Sequence, residues 1–219
     1  MIKAIIFDMD GLLVDSEPYW DEARRIMAVE AGATWDWTAD DQNTVMGKST
    51  KGWVSFMIER FNLTLSPKSV EEKIIDNMLQ LYTERIPFLP GAREAVSLSA
   101  MNFSVGLASG SPQSLIEMVV GDSSLQGKFQ VILSGDQFDQ GKPAPDIYLA
   151  AAAKLGVQPE HCLCLEDSGN GILAGKRAGM KVIAVPDARF YPAAEKLAQA
   201  DLILESLTHF SLDTIAMLC

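Results

Sequence analysis

A chain of 219 residues, 48% of them hydrophobic, can bury one sizeable core, or a core and a smaller insert. A formal net charge of −11 argues against nucleic acid or an anionic membrane as partner, while leaving room for an anionic small molecule met by local positive charge. No apolar run is long enough to span a bilayer and no basic-plus-apolar signal opens the chain, so the cytoplasm is the expected compartment.

Ile2-Lys3-Ala4-Ile5-Ile6-Phe7 reads as a buried strand. Asp8-Met9-Asp10-Gly11 follows it, at the strand's C-terminal tip. In an open α/β sheet that edge binds ligands. Two like charges one residue apart are unfavourable unless a cation, a proton or a donor offsets them. The pair therefore predicts a metal or acid–base site, and Gly11 allows a sharp turn away from it.

The pattern then turns helical for about 70 residues. Pro18 through Ala31 has helical spacing and stops at Gly32. Trp53, Phe56, Met57 and Phe61 recur at helical intervals. Ser66-Pro67 reads as an N-cap and first helical position, and Val70, Ile74, Met78 and Leu81 continue the stripe. Pro87-Phe88-Leu89-Pro90-Gly91 marks the exit. The expectation is an all-helical cap at 15–86, inserted over the active edge, with hinges near 12–15 and 86–90.

Beyond the insert, helices and strands alternate. Helix 91–101 precedes strand 103–108, and a helix from Pro112 leads to strand 130–134. Helix 145–155, strand 162–165, a helix around 170–178, strand 181–186 and a short strand 201–204 follow. Alternation of this kind predicts an α/β fold, a doubly wound parallel sheet covered on both faces. Its Rossmann-like core would comprise 1–14 and 87–219.

Further polar groups fall at strand ends. Ser109-Gly110-Ser111 opens a helix at Pro112, and reads either as an ordinary cap or as a phosphate cradle of backbone N–H groups and a hydroxyl. Lys142 lies in Gly141-Lys142-Pro143-Ala144-Pro145, either a solvated loop lysine or a fixed cation beside the carboxylates. Glu166-Asp167 ends the apolar strand Cys162-Leu163-Cys164-Leu165, with Asp167 or Ser168 as an alternative helix cap. With Asp8 and Asp10 these acids gather at one sheet edge, an arrangement suited to a hard cation, Mg²⁺ above all.

Other features carry less. Gly169, Gly171 and Gly175, with Asp187 further on, imitate a dinucleotide fingerprint, but Glu166 and Asp167 would then stand beside a pyrophosphate. Cys162 and Cys164 read as buried small residues. His161 and His209 are the chain's only histidines, which argues against a histidine metal site or a Ser-His-Asp triad.

Asp8-Met9-Asp10-Gly11, Ser109, Lys142-Pro143 and Glu166-Asp167, in this order, resemble the four motifs of the haloacid dehalogenase superfamily, and the insert resembles its first cap class. Asp15-Ser16-Glu17-Pro18, Leu89-Pro90-Gly91 and Asp146 after Pro145 resemble its branch of sugar-phosphate phosphatases and β-phosphoglucomutases. The resemblance implies Asp8 as nucleophile forming an aspartyl-phosphate and Asp10 as general acid and base. It implies Ser109 and the Gly110 amide on phosphate oxygens, and Lys142 offsetting charge. Asp8, the Asp10 carbonyl and Asp167 would bind Mg²⁺, with Glu166 as a ligand or just behind one.

Asp10 speaks against a dehalogenase or phosphonate-cleaving member, which the resemblance gives no second aspartate. Trp20 stands where mutases of this branch carry a histidine, which favours hydrolysis. The reading is a Mg²⁺-dependent phosphatase of a small sugar or polyol phosphate, such as a hexose 6-phosphate. A β-phosphoglucomutase-like mutase and a non-catalytic sugar-phosphate sensor are its alternatives. Ser16, Glu17, Trp20, Gly47, Lys48 and Ser49 are the cap positions expected to choose the substrate, with Trp20 read either as a sugar-stacking ring or as core. A monomer is expected, because a cap must move.

Overall fold

The computed structural model describes residues 1–45 and 50–218, without the side chains of Asn43, Thr50 and Lys51. It divides into two compact units, Met1–Asp15 with Pro87–Cys219, and Ser16–Ile86.

The first unit is built on strands β1 (Ala4–Phe7), β2 (Ser104–Ser109), β3 (Val131–Ser134), β4 (Cys162–Glu166), β5 (Lys181–Ala184) and β6 (Leu202–Ile203). They form one six-stranded sheet in the order β3-β2-β1-β4-β5-β6, and every pairing is parallel. The fold is thus an α/β, doubly wound parallel sheet.

The second unit holds α1 (Glu17–Glu30), α2 (Ala39–Val45), α3 (Thr50–Phe61) and α4 (Pro67–Glu84). The sheet unit adds α5 (Ala92–Asn102), α6 (Gln113–Val120), α7 (Asp146–Leu155), α8 (Gly169–Arg177), α9 (Ala194–Leu197) and α10 (Leu212–Ala216).

Strand alternation sends side chains to two faces. Ala4, Ile6, Ala108, Cys162, Cys164 and Val182 pack with Tyr148, Ala151 and Ile172 of α7 and α8. Phe7 turns to the other face, where its ring meets Phe129 and Phe210 edge-on. Cys162 and Cys164 are buried free thiols, small enough for close helix packing. The expected strand 181–186 is shorter in the structure, Lys181–Ala184, although the Val185 N–H still donates to the Glu166 carbonyl at 2.7 Å.

Just past β1 the N–H groups of Leu12, Leu13 and Val14 all point to the Met9 carbonyl, closing a tight turn that Gly11 enters at φ +74°. The outgoing and returning chains then pair: Asp15 N–H donates to the Pro87 carbonyl and Leu89 N–H to the Leu13 carbonyl, both at 2.9 Å. This two-stranded stem lies where the helical unit begins and ends in sequence.

In the helical unit Ser66 caps α4, its side chain accepting from Ser69 N–H, with Pro67 in the first turn. Trp35 and Trp37 stack on each other and on Phe61. Helix α2 was invisible to periodicity because its sequence, Ala-Asp-Asp-Gln-Asn-Thr-Val, has no apolar stripe. A reciprocal pair of bonds between Thr38 and Asp41 starts it instead. No described helix is long and apolar enough to cross a membrane.

Candidate active site

The sheet order reverses between β1 and β4, which are neighbours although β2 and β3 lie between them in sequence. Such a switch point opens a crevice at the C-terminal strand ends. The register pairs Phe7 with Leu165, so Asp8, just past β1, emerges beside Glu166, the last residue of β4, and Asp167 after it. Asp8, Glu166 and Asp167 can each bring an oxygen within 4.8 Å of the others.

Lys142 is no solvated loop lysine. Its Nζ lies 2.6 Å from Asp8 Oδ1, 2.6 Å from Glu166 Oε1, 3.0 Å from the Ala108 carbonyl and 3.0 Å from the Tyr148 hydroxyl. Burial would lower the ammonium's pKa, but Asp8 and Glu166 outweigh it and hold Lys142 above its usual value. Burial pushes Asp8 up to about 7 against the pull of Lys142, with Glu166 and Asp10 adding repulsion. Asp167 is raised by burial, then by Glu166 and Asp8. One lysine does not balance this cluster of carboxylates. A divalent cation with oxygen ligands fits the deficit.

Gly11 serves this geometry as well as its turn. A Cβ there would stand 2.2 Å from Asp167 Oδ2, so the loop after β1 leaves room for the Asp167 carboxylate only as glycine.

Glu166 is fully buried, and both its oxygens are engaged. Oε1 accepts from Lys142 and, at 2.6 Å, from the Tyr148 hydroxyl. Oε2 accepts from the Ser168 N–H at 3.2 Å and hydroxyl at 3.1 Å. Ser168, not Asp167, caps α8 through Gly171 N–H. Of the two positions open to Glu166, these bonds favour the one behind a ligand.

The glycines of the fingerprint-like stretch have packing roles. A Cβ on Gly171 would stand 1.8 Å from Glu166 Cδ, and one on Gly175 2.9 Å from Val182 Cγ2. Gly171→Ala must displace a buried, fully bonded carboxylate, and is expected to lower stability by about 3 kcal/mol. An unchanged urea midpoint would mean that Glu166 has another place to go. Asp187 pairs with Arg189, whose guanidinium also reaches Asp15 at 2.6 Å.

Asp10 presents two unlike oxygens. Oδ2 accepts from Ser111 Oγ at 2.6 Å and from Ser109 Oγ at 3.1 Å, while Oδ1 is buried with no partner among the described residues. Ser109 Oγ in turn accepts from Ser111 N–H at 3.0 Å. Gly110 is exposed at the tip of β2, and space beyond its Cα is open.

Asp8, Asp10, Ser109, Lys142, Glu166 and Asp167 therefore share one sheet edge, with Gly110 at its rim. The remaining expected residues belong to the helical unit. Ser16 is buried, its hydroxyl without a partner among the described residues. Glu17 accepts from Gln42 Nε2 at 3.0 Å. Trp20 is 9% exposed and packs against Trp53 at 6.1 Å between centroids, so of its two readings the structure favours core over an open stacking ring. Gly47, Lys48 and Ser49 lie outside the described residues.

Sequence reasoning missed Tyr148 and Ser111. Tyr148 sits on the apolar face of α7 with Ile147, Ala151 and Ala152, where an aromatic reads as core, and nothing local announces its hydroxyl's target. Ser111 carried a weak signal, as the second hydroxyl in the turn after β2.

Residues 2–179 match the family model for haloacid dehalogenase-like hydrolases. The chain is 39% identical over 215 residues to hexitol phosphatase B of Escherichia coli K12, covering 96% of this chain and 95% of that one. It is 30% identical over 206 residues to a phosphorylated carbohydrates phosphatase of Thermotoga maritima, covering 94% and 91%. A solved β-phosphoglucomutase from Clostridium difficile superposes with a TM-score of 0.81 at 27% identity, covering 99% of this chain and 96% of that one. With its four motifs on one edge of a doubly wound sheet, the chain is an enzyme of the haloacid dehalogenase-like hydrolase family and groups with the phosphatases of that family.

Proposed function

We propose that the enzyme hydrolyses a small sugar or polyol monophosphate, such as a hexose 6-phosphate, through an aspartyl-phosphate on Asp8, with Mg²⁺ as cofactor. The observation that carries this reading is the Lys142 ammonium, 2.6 Å from Asp8 Oδ1 within a cluster of carboxylates still short of positive charge. A carboxylate attacks an anionic phosphate only where cations offset the repulsion.

Asp8 attacks phosphorus, the bond to the leaving oxygen breaks, and Asp10 gives that oxygen its proton. Asp10 then takes a proton from a water, which attacks the phosphorus of the aspartyl-phosphate, freeing inorganic phosphate and the Asp8 carboxylate. With Ser109 and Ser111 donating to Oδ2, the unpartnered Oδ1 is the Asp10 oxygen that carries the proton. Ser109 and the Gly110 amide receive phosphate oxygens, Ser109 turning its hydroxyl from Asp10 while Ser111 keeps Asp10 in place. Asp8, Asp167 and the Asp10 carbonyl would hold Mg²⁺, which when bound supplies positive charge to the transferring phosphoryl group. The helical unit serves as a cap, with Ser16, Glu17 and Lys48 as residues that choose the substrate.

The names of the relatives support a phosphorylated carbohydrate or hexitol as substrate. Structural likeness to a β-phosphoglucomutase keeps a mutase as the second reading. Trp20 speaks against it: an indole packed on Trp53 is no substitute for an acid–base histidine.

The test is a phosphate-release screen over sugar, polyol and nucleotide monophosphates with Mg²⁺. A sugar or hexitol phosphate is expected to be turned over fastest, and EDTA to lower the rate by roughly 100-fold or more until Mg²⁺ is restored. Conversion of glucose 1-phosphate to glucose 6-phosphate faster than phosphate release would make the enzyme a mutase. Ligand binding without release of phosphate from any compound would make it a sensor.

A further inference from the structure

Lys142 is shared between two buried anions. Its Nζ has three protons but faces four acceptors: Asp8, Glu166, the Ala108 carbonyl and the Tyr148 oxygen. Tyr148 is fully buried, and its hydroxyl proton is committed to Glu166 Oε1 at 2.6 Å, the same oxygen that takes Lys142. Its ring centroid lies 4.8 Å from Nζ, so the buried phenol flanks the ammonium. Tyr148 has no part in the chemical steps above. It does bear on how strongly Glu166 competes with Asp8 for the Lys142 charge, because a donor on Oε1 satisfies part of that carboxylate's demand.

We propose that Tyr148 is a positioning residue: its hydroxyl holds Glu166 and leaves the charge of Lys142 to Asp8. Without that hydroxyl, Oε1 keeps Lys142 as its only donor, and the ammonium is drawn from the attacking carboxylate toward Glu166. The inference rests on the reading of Asp8 as nucleophile and Lys142 as its cation.

Tyr148→Phe removes one oxygen and keeps the buried ring. It is expected to lower kcat about tenfold with KM within about twofold, the mark of an interaction that matters in the transition state. Glu166→Gln removes the competing charge, so the double variant Tyr148→Phe/Glu166→Gln is expected to be no slower than Glu166→Gln alone. A residue that merely fills the core would leave kcat intact, or multiply its loss with that of Glu166→Gln. Either result overturns the proposal. Wild type and Asp8→Asn are assayed alongside. If wild type releases phosphate, Asp8→Asn does not, and Tyr148→Phe keeps its kcat, this inference alone fails. If wild type releases none, the proposed function fails and takes the inference with it.

Discussion

Asp8→Asn is expected to reduce phosphate release by roughly 10,000-fold or more, because the amide oxygen is no nucleophile and no acyl phosphate can form. The substitution is nearly isosteric and leaves an oxygen for Lys142, so the loss is chemical and not structural. Its effect on stability has the opposite sign. Burial raises the folded pKa of Asp8 to about 7, well above its ordinary value of 3.8. A carboxyl whose pKa rises on folding favours the fold while protonated, and costs stability as pH climbs from its unfolded value through its folded one. At pH 8 in EDTA the wild-type protein bears that cost and Asp8→Asn does not. The variant is therefore expected to melt at a higher temperature than wild type in EDTA. A dead variant that is also less stable under those conditions would mean that Asp8 holds the fold together, contrary to the electrostatics of the cluster.

Lys142→Met tests the other half of the pair. Methionine keeps most of the buried stem and deletes the charge, leaving Asp8 and Glu166 without the cation that bridges them at 2.6 Å on each side. Removing one partner of a buried pair strands the other, at about 3–5 kcal/mol. Activity is expected to fall by roughly 1,000-fold, since the approach of an anionic phosphate to Asp8 is no longer offset. Urea unfolding with EDTA present reads the first effect, and phosphate release at saturating Mg²⁺ the second. Lys142→Arg is expected to rescue little, because a planar guanidinium cannot place one point donor between four acceptors 2.6–3.0 Å away. Activity of Lys142→Met within tenfold of wild type would remove Lys142 from the mechanism.

The same lysine shows why much of this site was legible in sequence and why part was not. Asp8-Met9-Asp10-Gly11, Ser109-Gly110 and Glu166-Asp167 each follow an apolar run that identifies itself as a strand, so their place at strand tips is local information. Lys142 sits in a loop just ahead of Pro143 and Pro145, with nothing local to say that it crosses to Asp8, 134 positions away in sequence. Resemblance assigned it a role; the contact itself is a product of strand order. Helix α2 failed in the opposite sense, as a local element whose polar residues carry no periodic signal and whose start depends on side-chain caps.

What the sequence determined by itself is whatever a short stretch decides through its own periodicity and backbone preferences. The alternation of strands and helices, the polar groups at strand ends, the helical insert after β1 and the turn at Gly11 are of that kind. What only the tertiary structure decided depends on which strands become neighbours and which side chains then meet. The order β3-β2-β1-β4-β5-β6 sets Asp8 beside Glu166 and Asp167, and the crowding of Gly171 and Gly11 shows how closely those carboxylates are fitted. The bonding of Glu166 on both oxygens, the turn of Tyr148 from core aromatic to hydrogen-bond donor, and the packing of Trp20 on Trp53 were decided there too. A side chain's burial and partners are set by elements far away in sequence, so identical local text serves a core residue and a catalytic neighbour alike.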